Sequence, residues 1–259
     1  MTAKNASLFV ILFGLLALLS RPAMAQEIQI GLSSDTVAIS SNFDGTELVV
    51  FGTIEGADPE RLAKGAYDVA VVLLGPLEPV VVRRKEHQFG IWANGKSMRF
   101  ENVPSSYSVA TTRALNLIAT EDEAKVLQIG LNNISMKPLV ENETSPDVAI
   151  FSESLKRIKT TNDLYVEKIG GVDFISSTLF RARVPVPANV PIGMHRARAF
   201  LFADGKVINA KSVTLQVRKI GFEQFTYSMA HQNGFLYGII AVLVAIGTGW
   251  LANVIFQKD

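Results

Sequence analysis

The chain of 259 residues contains no cysteine and only three histidines, His87, His195 and His231. Without cysteine it can form neither a disulfide nor a thiolate metal site, and it has no thiol nucleophile. The histidines form no HxH or HxxxH pair and have no acidic residue at ligand spacing, which is typical of surface histidines and disfavours a metal site. We therefore expect no metal, no cofactor, and a fold held together by burial alone.

Catalytic and nucleotide-binding motifs are also absent. The sequence has no Gly-x-Ser-x-Gly elbow, no phosphate-binding glycine loop and no dinucleotide fingerprint. Its formal net charge is only +1, so it lacks the excess of basic residues that nucleic-acid-binding proteins use to neutralise phosphates. These absences favour a protein that is not an enzyme and does not bind nucleic acid. A membrane-tethered hydrolase that uses carboxylates is the alternative.

A long uncharged run lies near the C-terminal end of the chain, from Phe235 to Phe256. As an α-helix it would span about 33 Å, which is enough to cross a hydrocarbon core of about 30 Å. Tyr237 and Trp250 lie near its two ends, where aromatic rings prefer the membrane interface. The run predicts a single transmembrane helix, residues 235–256, followed by a cytoplasmic tail, residues 257–259.

Small residues lie on one side of this helix. Ala241, Ala245 and Gly249 recur every four residues, and Asn253 continues the same stripe. Such spacing lets two membrane helices approach closely, and an amide within a membrane helix gains from a partner. We predict that the helix associates with a permease helix or with a second copy of the chain. A plain membrane anchor is the alternative.

The N-terminus has the features of a secretory signal peptide. Lys4 precedes an apolar run from Leu8 to Leu19, and Ala23-Met-Ala25 supplies a small-x-small cleavage pattern. An uncleaved N-terminal anchor is the alternative. We expect the mature chain to lie in the inner membrane with most of its residues in the periplasm. The expected parts are a signal peptide, 1–25, a periplasmic domain, 26–220, and a juxtamembrane segment, 221–234.

Segment 26–220 is predicted to be mainly β. Most of it consists of short β-branched runs and alternating apolar and polar residues bounded by turn signals. Between about residues 105 and 169 the apolar residues recur every three or four positions, which predicts one helix or two short ones over 111–134 and a further helix over 147–167. The favoured fold is one immunoglobulin-like β-sandwich interrupted by this helical insertion. Two domains divided near residue 105 are the alternative.

Four arginines lie on two alternating strands and form a candidate anion site. They are Arg181, Arg183, Arg196 and Arg198. If the apolar residues between them are buried, all four point away from the core. If the two strands also pair, the guanidinium groups share one patch that can bind a small anion or a lipid headgroup. Ion pairs with acids of the insertion are the alternative, and Phe200 and Phe202 fall on the arginine side unless a bulge intervenes.

Several blocks in the chain resemble a known family. They are Ser41-Asn-Phe-Asp-Gly-Thr-Glu-Leu-Val-Val-Phe-Gly, Ile91-Trp-Ala-Asn, Thr178-Leu-Phe-Arg-Ala, Leu201-Phe-Ala-Asp-Gly, Gly221-Phe-Glu-Gln-Phe and Gly249-Trp-Leu-Ala-Asn-Val-Ile-Phe. In this order they are similar to the "putative transmembrane protein" family of alphaproteobacteria, over essentially the whole mature chain. Genes of that family often neighbour a sulfite-exporter-type permease. The resemblance therefore implies a role accessory to a permease, and it assigns no activity.

Overall fold

The computed structural model describes residues 26–40, 42–88, 90–139, 146–221 and 229–256. The expected signal peptide, the tail after Phe256 and half of the juxtamembrane segment, residues 222–228, lie outside these ranges. Within them the strands are β1 Glu27–Leu32, β2 Thr36–Ile39, β3 Thr46–Glu55, β4 Tyr67–Leu74, β5 Leu77–Gln88, β6 Ile91–Pro104, β7 Tyr107–Thr111, β8 Lys137–Pro138, β9 Tyr165–Ile169, β10 Val172–Phe174, β11 Leu179–Val186, β12 Gly193–Ala203 and β13 Lys206–Lys219. The helices are α1 Pro59–Ala63, α2 Leu115–Ile118, α3 Glu121–Leu127, α4 Pro146–Thr161 and α5 Gly234–Phe256, with a 3-10 turn at Leu131–Asn133.

Two sheets form a β-sandwich. One has four strands in the order β1-β3-β11-β10, and the other has six in the order β2-β13-β12-β4-β7-β9. Neighbouring strands are antiparallel except in the pairs β2–β13 and β7–β9. The first four strands and the last four strands of the domain are thus divided between the same two sheets, as the alternating sequence pattern predicts. The mainly β fold with a helical insertion is confirmed.

An apolar layer between the two sheets forms what we call the inner core. Most of its members are aliphatic residues or alanines from alternate positions of the strands. They include Ile28, Leu48, Val50, Val69, Val71, Leu73, Ala182, Val184, Ala197, Ala199, Leu201 and Leu215. Phe180 is fully buried in this layer. Its ring lies so close to Gly52 that a Cβ there would be 2.3 Å from the Phe180 ring. Glycine at position 52 therefore makes room for the aromatic ring.

The opposite face of the six-stranded sheet is buried as well, beneath what we call the outer core. From the sheet come Tyr107, Val109, Tyr165, Phe200 and Phe202, and from the covering segments come Met98, Phe100, Val103, Ile118, Phe151 and Leu155. Strand β4 is consequently buried at every position from Tyr67 to Leu73, as expected for a strand covered on both faces. Phe200 and Phe202 do lie on the arginine side of β12. The bulge between Leu201 and Phe202 does not turn them inward.

The helical insertion differs from the prediction in two places. Strands β7 and β9 lie within it, and both belong to the six-stranded sheet. The predicted helix over 147–167 ends at Thr161, because Asp163 adopts a left-handed conformation (φ 56°) and the Leu164 N–H donates to the Lys159 carbonyl. Local periodicity missed this stop, since no glycine or proline marks it. Of the two arrangements predicted for 111–134, one helix or two short ones, the structure has the second, with α2 and α3.

Strands β5 and β6 form a long hairpin that pairs with β8 in a separate three-stranded sheet. The sequence pattern had placed them in the sandwich itself. Strands β4 and β7, which lie on either side of residue 105, are neighbours in the six-stranded sheet. A division near residue 105 would therefore cut through that sheet.

Helix α5 is the predicted membrane helix. A 20-residue stretch of it, Gly234–Asn253, has a mean hydropathy of 2.1, and none of it is buried against the rest of the protein. A helix of this length that is apolar on all sides crosses a bilayer or packs in a core. No core covers α5, and the helix has the length and composition of a membrane span.

Candidate functional site

The four arginines of the predicted anion site do not form one patch. Strand β11, which carries Arg181 and Arg183, pairs with β3 and β10 in the four-stranded sheet. Strand β12, which carries Arg196 and Arg198, pairs with β4 and β13 in the six-stranded sheet. The outward orientation is correct, because Ala182, Val184, Ala197 and Ala199 all face the inner core. The predicted pairing of the strands is wrong: the two arginine pairs lie on opposite outer faces of the sandwich.

Arg181 and Arg183 share an acidic partner. Asp173 lies opposite Arg181 on the neighbouring strand β10 and accepts hydrogen bonds from the guanidinium groups of both arginines. All three side chains are more than a third exposed, so solvent screens these ion pairs. The partner comes from the sheet and not from the helical insertion. Whether this pair also binds an anion stays a prediction.

Arg196 and Arg198 lie on the other side of the molecule, at the margin of the outer core. The Arg198 guanidinium carbon lies 4.8 Å from the centre of the Phe200 ring, which is a cation–π distance. Arg198 therefore covers one of the two phenylalanines that had complicated the predicted register. Arg196 remains exposed and lines a cleft of about 210 Å³ beside Pro76 and Thr214. Anion binding by this pair also stays a prediction.

His195 is not the surface histidine that the sequence suggested. It is 1% exposed, and burial lowers its pKa from the ordinary value of 6.5. Its Nδ1 lies 3.3 Å from the Gly193 carbonyl and its Nε2 lies 3.2 Å from the Ser106 hydroxyl. A neutral ring satisfies both contacts by donating to Gly193 and accepting from Ser106. His195 and Ser106 are both almost fully buried. Their contact therefore has a structural role at the end of the inner core.

The structure has a groove of about 580 Å³ that sequence reasoning did not find. It lies where the helical insertion meets β9, the last strand of the six-stranded sheet. Its lining combines apolar residues and amides with two carboxylates, and includes Leu115, Asn116, Leu131, Asn133, Glu121 and Glu167. No local motif marks it, since its walls come from four separate segments between residues 114 and 169.

A buried tyrosine, Tyr107, holds the loop after α3, which lines one side of the groove. The Tyr107 hydroxyl donates to the Gln128 carbonyl (3.1 Å) and accepts from the Gly130 N–H (2.9 Å). Gln128 ends α3 in a left-handed conformation, and the Asn133 side chain donates back to the Ile129 carbonyl (2.6 Å). These bonds hold the loop after α3 against the sheet. The groove is therefore preformed and does not depend on a ligand for its shape.

The charges in the groove suit binding better than proton transfer. Lys125 donates to Glu121 and holds the pKa of that carboxyl below its ordinary value. Glu167 accepts a long bond (3.4 Å) from the Leu131 N–H. A carboxyl that acts as a general acid near neutral pH needs a raised pKa. The groove thus combines apolar side chains with two carboxylates.

The predicted small-residue stripe lies on α5. Ala241, Ala245, Gly249 and Asn253 are exposed, as is the whole membrane-spanning stretch. The Thr248 hydroxyl donates to the carbonyls of Val244 and Ala245 within the same helix (2.9 and 3.0 Å). The helix therefore satisfies this hydroxyl internally. Association through the stripe stays a prediction.

The residues that the structure describes contain no cluster of three or more His, Asp or Glu that could hold a metal ion.

In comparisons with known proteins, the model of a family described as "Putative transmembrane protein" (Alph_Pro_TM) matches residues 27–258. No curated protein matches the chain. The crystal structure of AggA, the major subunit of aggregative adherence fimbriae type I from Escherichia coli, is similar over 75% of this chain and 93% of that chain. Its identity is 9% and its TM-score 0.23, so this likeness carries no argument about function.

Proposed function

We propose, from the premise that the chain belongs to the "Putative transmembrane protein" family, that this single-pass membrane protein carries a non-enzymatic binding module. The sandwich and its insertion bind or support another component of the cell envelope. The component we propose is a permease for a small anion, in keeping with the family resemblance. The domain lies on the periplasmic side of the inner membrane, and the C-terminus is cytoplasmic.

The groove is the observation that carries this proposal. It is preformed, lies beside the end strand β9, and exposes apolar side chains such as Ile169, which is 60% exposed. Exposed apolar surface with a polar rim is typical of protein-binding sites. A partner held to the same membrane by its own helices would meet the groove at high effective concentration. Modest contacts in the groove are then sufficient for binding.

The carboxylate hydrolase is the competing function. Glu121 and Glu167 are its candidate acids, since they line the same groove. The lowered pKa of Glu121 leaves it ionised at neutral pH, and an ionised carboxylate cannot donate the proton that a leaving group needs. Replacing both acids by glutamine separates the two functions, because it would abolish hydrolysis yet leave a groove of the same size.

Co-purification tests the binding function. The full chain is solubilised in a mild detergent, and the proteins that remain bound are identified by mass spectrometry. Asn116→Trp should displace a groove-bound partner, because Asn116 is an exposed residue of the groove lining. Asn162→Trp, at an exposed position outside that lining, is the matched control. An identical set of bound proteins with both variants would contradict binding in the groove.

A pair of fusions tests the proposed orientation. A reporter that is active only in the periplasm is placed before Phe235 in one fusion and after Asp259 in the other. We expect activity only from the first fusion. Activity from the second fusion would place the C-terminus outside the cytoplasm and would overturn the proposed location of the domain.

A further inference from the structure

The end of the β5–β6 hairpin concentrates positive charge and exposed apolar side chains. We define it as residues 83–88 and 90–97 and call it the hairpin tip. This segment has four basic residues and one acidic residue, although the whole chain has a formal net charge of only +1. Ile91 and Trp92 are 67% and 70% exposed. Large side chains so exposed on a basic hairpin indicate a surface that binds something.

Glu86, the acidic residue of the tip, forms an ion pair with only one of the four basic residues, Arg84. Glu86 accepts two hydrogen bonds from Arg84 (3.1 and 2.7 Å) and packs across the hairpin over Gly95, where a Cβ would be 2.3 Å from the Glu86 side chain. Lys96 binds Asp147 of helix α4 (3.1 Å). In the described part of the chain, Arg83 and Lys85 have no ion-pair partner. These two exposed cationic side chains therefore remain available to an anionic ligand.

The Trp92 indole shares a face of the hairpin with Lys85, whereas Ile91, the preceding residue of the strand, lies on the other face. His87 lies opposite Trp92 in the strand register and Lys85 lies opposite Asn94, two positions away on the same face. The His87 and Trp92 rings meet edge to face with their centres 5.4 Å apart. This contact orients the indole but leaves most of it in water. Indole and ammonium groups side by side match a membrane interface, where rings lie among the headgroups and cations bind phosphate.

The base of the hairpin lies at the same end of the six-stranded sheet as the last residues of β13, after which the chain continues to α5. Leu74, just before the hairpin, lies opposite Arg196, and Val217, near the end of the last strand, lies opposite Gly193. Ile220 precedes Gly234 by only 14 positions in the chain, which reach at most about 50 Å even when fully extended. The 12-residue strand β5 is about 40 Å long. The link and the hairpin together therefore limit how far the tip can lie from the bilayer that holds α5.

We propose that the hairpin tip is a second membrane contact, in which Ile91 and Trp92 insert at the interface of an anionic bilayer and Arg83 and Lys85 bind lipid phosphates. Cations near an anionic surface strengthen the attachment of a protein to the bilayer. The two-point attachment, through α5 and the tip, fixes the orientation of the domain over the bilayer. The contact goes beyond the proposed partner binding, because it involves a different surface and a different ligand.

Tryptophan fluorescence tests the contact, because the chain contains only Trp92 and Trp250. The full chain with Trp250→Phe is reconstituted into phosphatidylcholine vesicles and into vesicles of equal parts phosphatidylcholine and phosphatidylglycerol. We expect Trp92 emission to shift to shorter wavelength in the anionic vesicles and to be quenched by lipids with brominated acyl chains. Arg83→Gln with Lys85→Gln should reverse most of the shift. Lys64→Gln with Lys211→Gln, which removes the same charge at exposed positions elsewhere on the surface, should not.

Three results would overturn the proposal. One is Trp92 emission typical of water in both kinds of vesicle. Another is an equal shift in both that does not respond to Arg83→Gln with Lys85→Gln, which would place Trp92 against protein. The third is the same shift in neutral vesicles after addition of inorganic phosphate, which would make the tip a site for free phosphate. None of these results bears on the groove, whose test is the set of co-purified proteins.

Discussion

The inner and outer cores of this protein cover the two faces of one sheet with different chemistry. The inner core is mostly aliphatic and alanine, and its members come from alternate positions of regular strands. The outer core is rich in aromatic residues, and the hydroxyl groups of two of them, Tyr107 and Tyr165, bond to backbone groups of the covering segments. Tyr165, for example, donates to the Pro104 carbonyl (2.8 Å). The inner core holds the sandwich together, whereas the outer core fixes the irregular segments that shape the groove.

The largest effect is expected from removing the aromatic ring of the inner core. Phe180→Ala should lower the free energy of unfolding by about 3–5 kcal/mol, because the ring is fully buried and the cavity over Gly52 cannot collapse onto regular strands. Urea unfolding of the protein in mild detergent, followed by circular dichroism, measures this loss. Phe51→Ala is the control on the same sheet, since Phe51 is 41% exposed. Equal losses from both variants would contradict the account of the inner core.

A smaller effect is expected from a hydroxyl in the outer core. Tyr107→Phe should lower the free energy of unfolding by about 1–3 kcal/mol, because it leaves the buried Gly130 N–H without its acceptor. The same change should loosen the groove and reduce binding of a partner there. Tyr165→Phe removes one bond, to a carbonyl, and should cost about 1 kcal/mol with no effect on the groove. If Tyr165→Phe weakened partner binding more than Tyr107→Phe, Tyr107 would not be the residue that fixes the groove.

A pH-dependent effect is expected where the inner core ends at His195. Because burial lowers the pKa of His195 in the folded protein, the unfolded chain takes up a proton more readily as the pH falls. Stability should therefore be complete above about pH 6.5 and should decrease as the pH falls further. The thermal midpoint measured from pH 7.5 downward gives this dependence, and His195→Gln should flatten it. A midpoint of the parent protein that does not change over this range would show that His195 is not buried as the neutral ring.

The smallest effect on either core is expected from the membrane helix. Ala245→Leu and Gly249→Leu should leave the unfolding of the domain unchanged, because α5 contributes to neither core. They should abolish association with a partner helix, since the larger side chains keep helices apart. Crosslinking in the membrane measures association, and Leu243→Ala on another face is the control. Association that survives both leucine variants would leave α5 as an anchor only.

The sequence by itself determined the features that depend on local pattern. The alternation of Phe180, Ala182 and Val184 was sufficient to identify their buried face, because successive side chains of a strand point to opposite sides. The length and apolar character of α5 were sufficient to identify a membrane span, because bilayer thickness sets both. Both follow from spacing along the chain and need no partner segment.

Tertiary structure alone decided which segments meet. The sequence shows that Arg181 and Arg196 point outward, but their strands belong to different sheets, and strand order is set by long-range packing. The sequence likewise gave no sign that Phe200 and Phe202 would be covered, because the covering residues, such as Phe100 and Phe151, are distant in the chain. The groove arose in the same way, from segments that the sheet and Tyr107 bring together. A binding site built from such distant pieces has no spacing of its own for a sequence pattern to reveal.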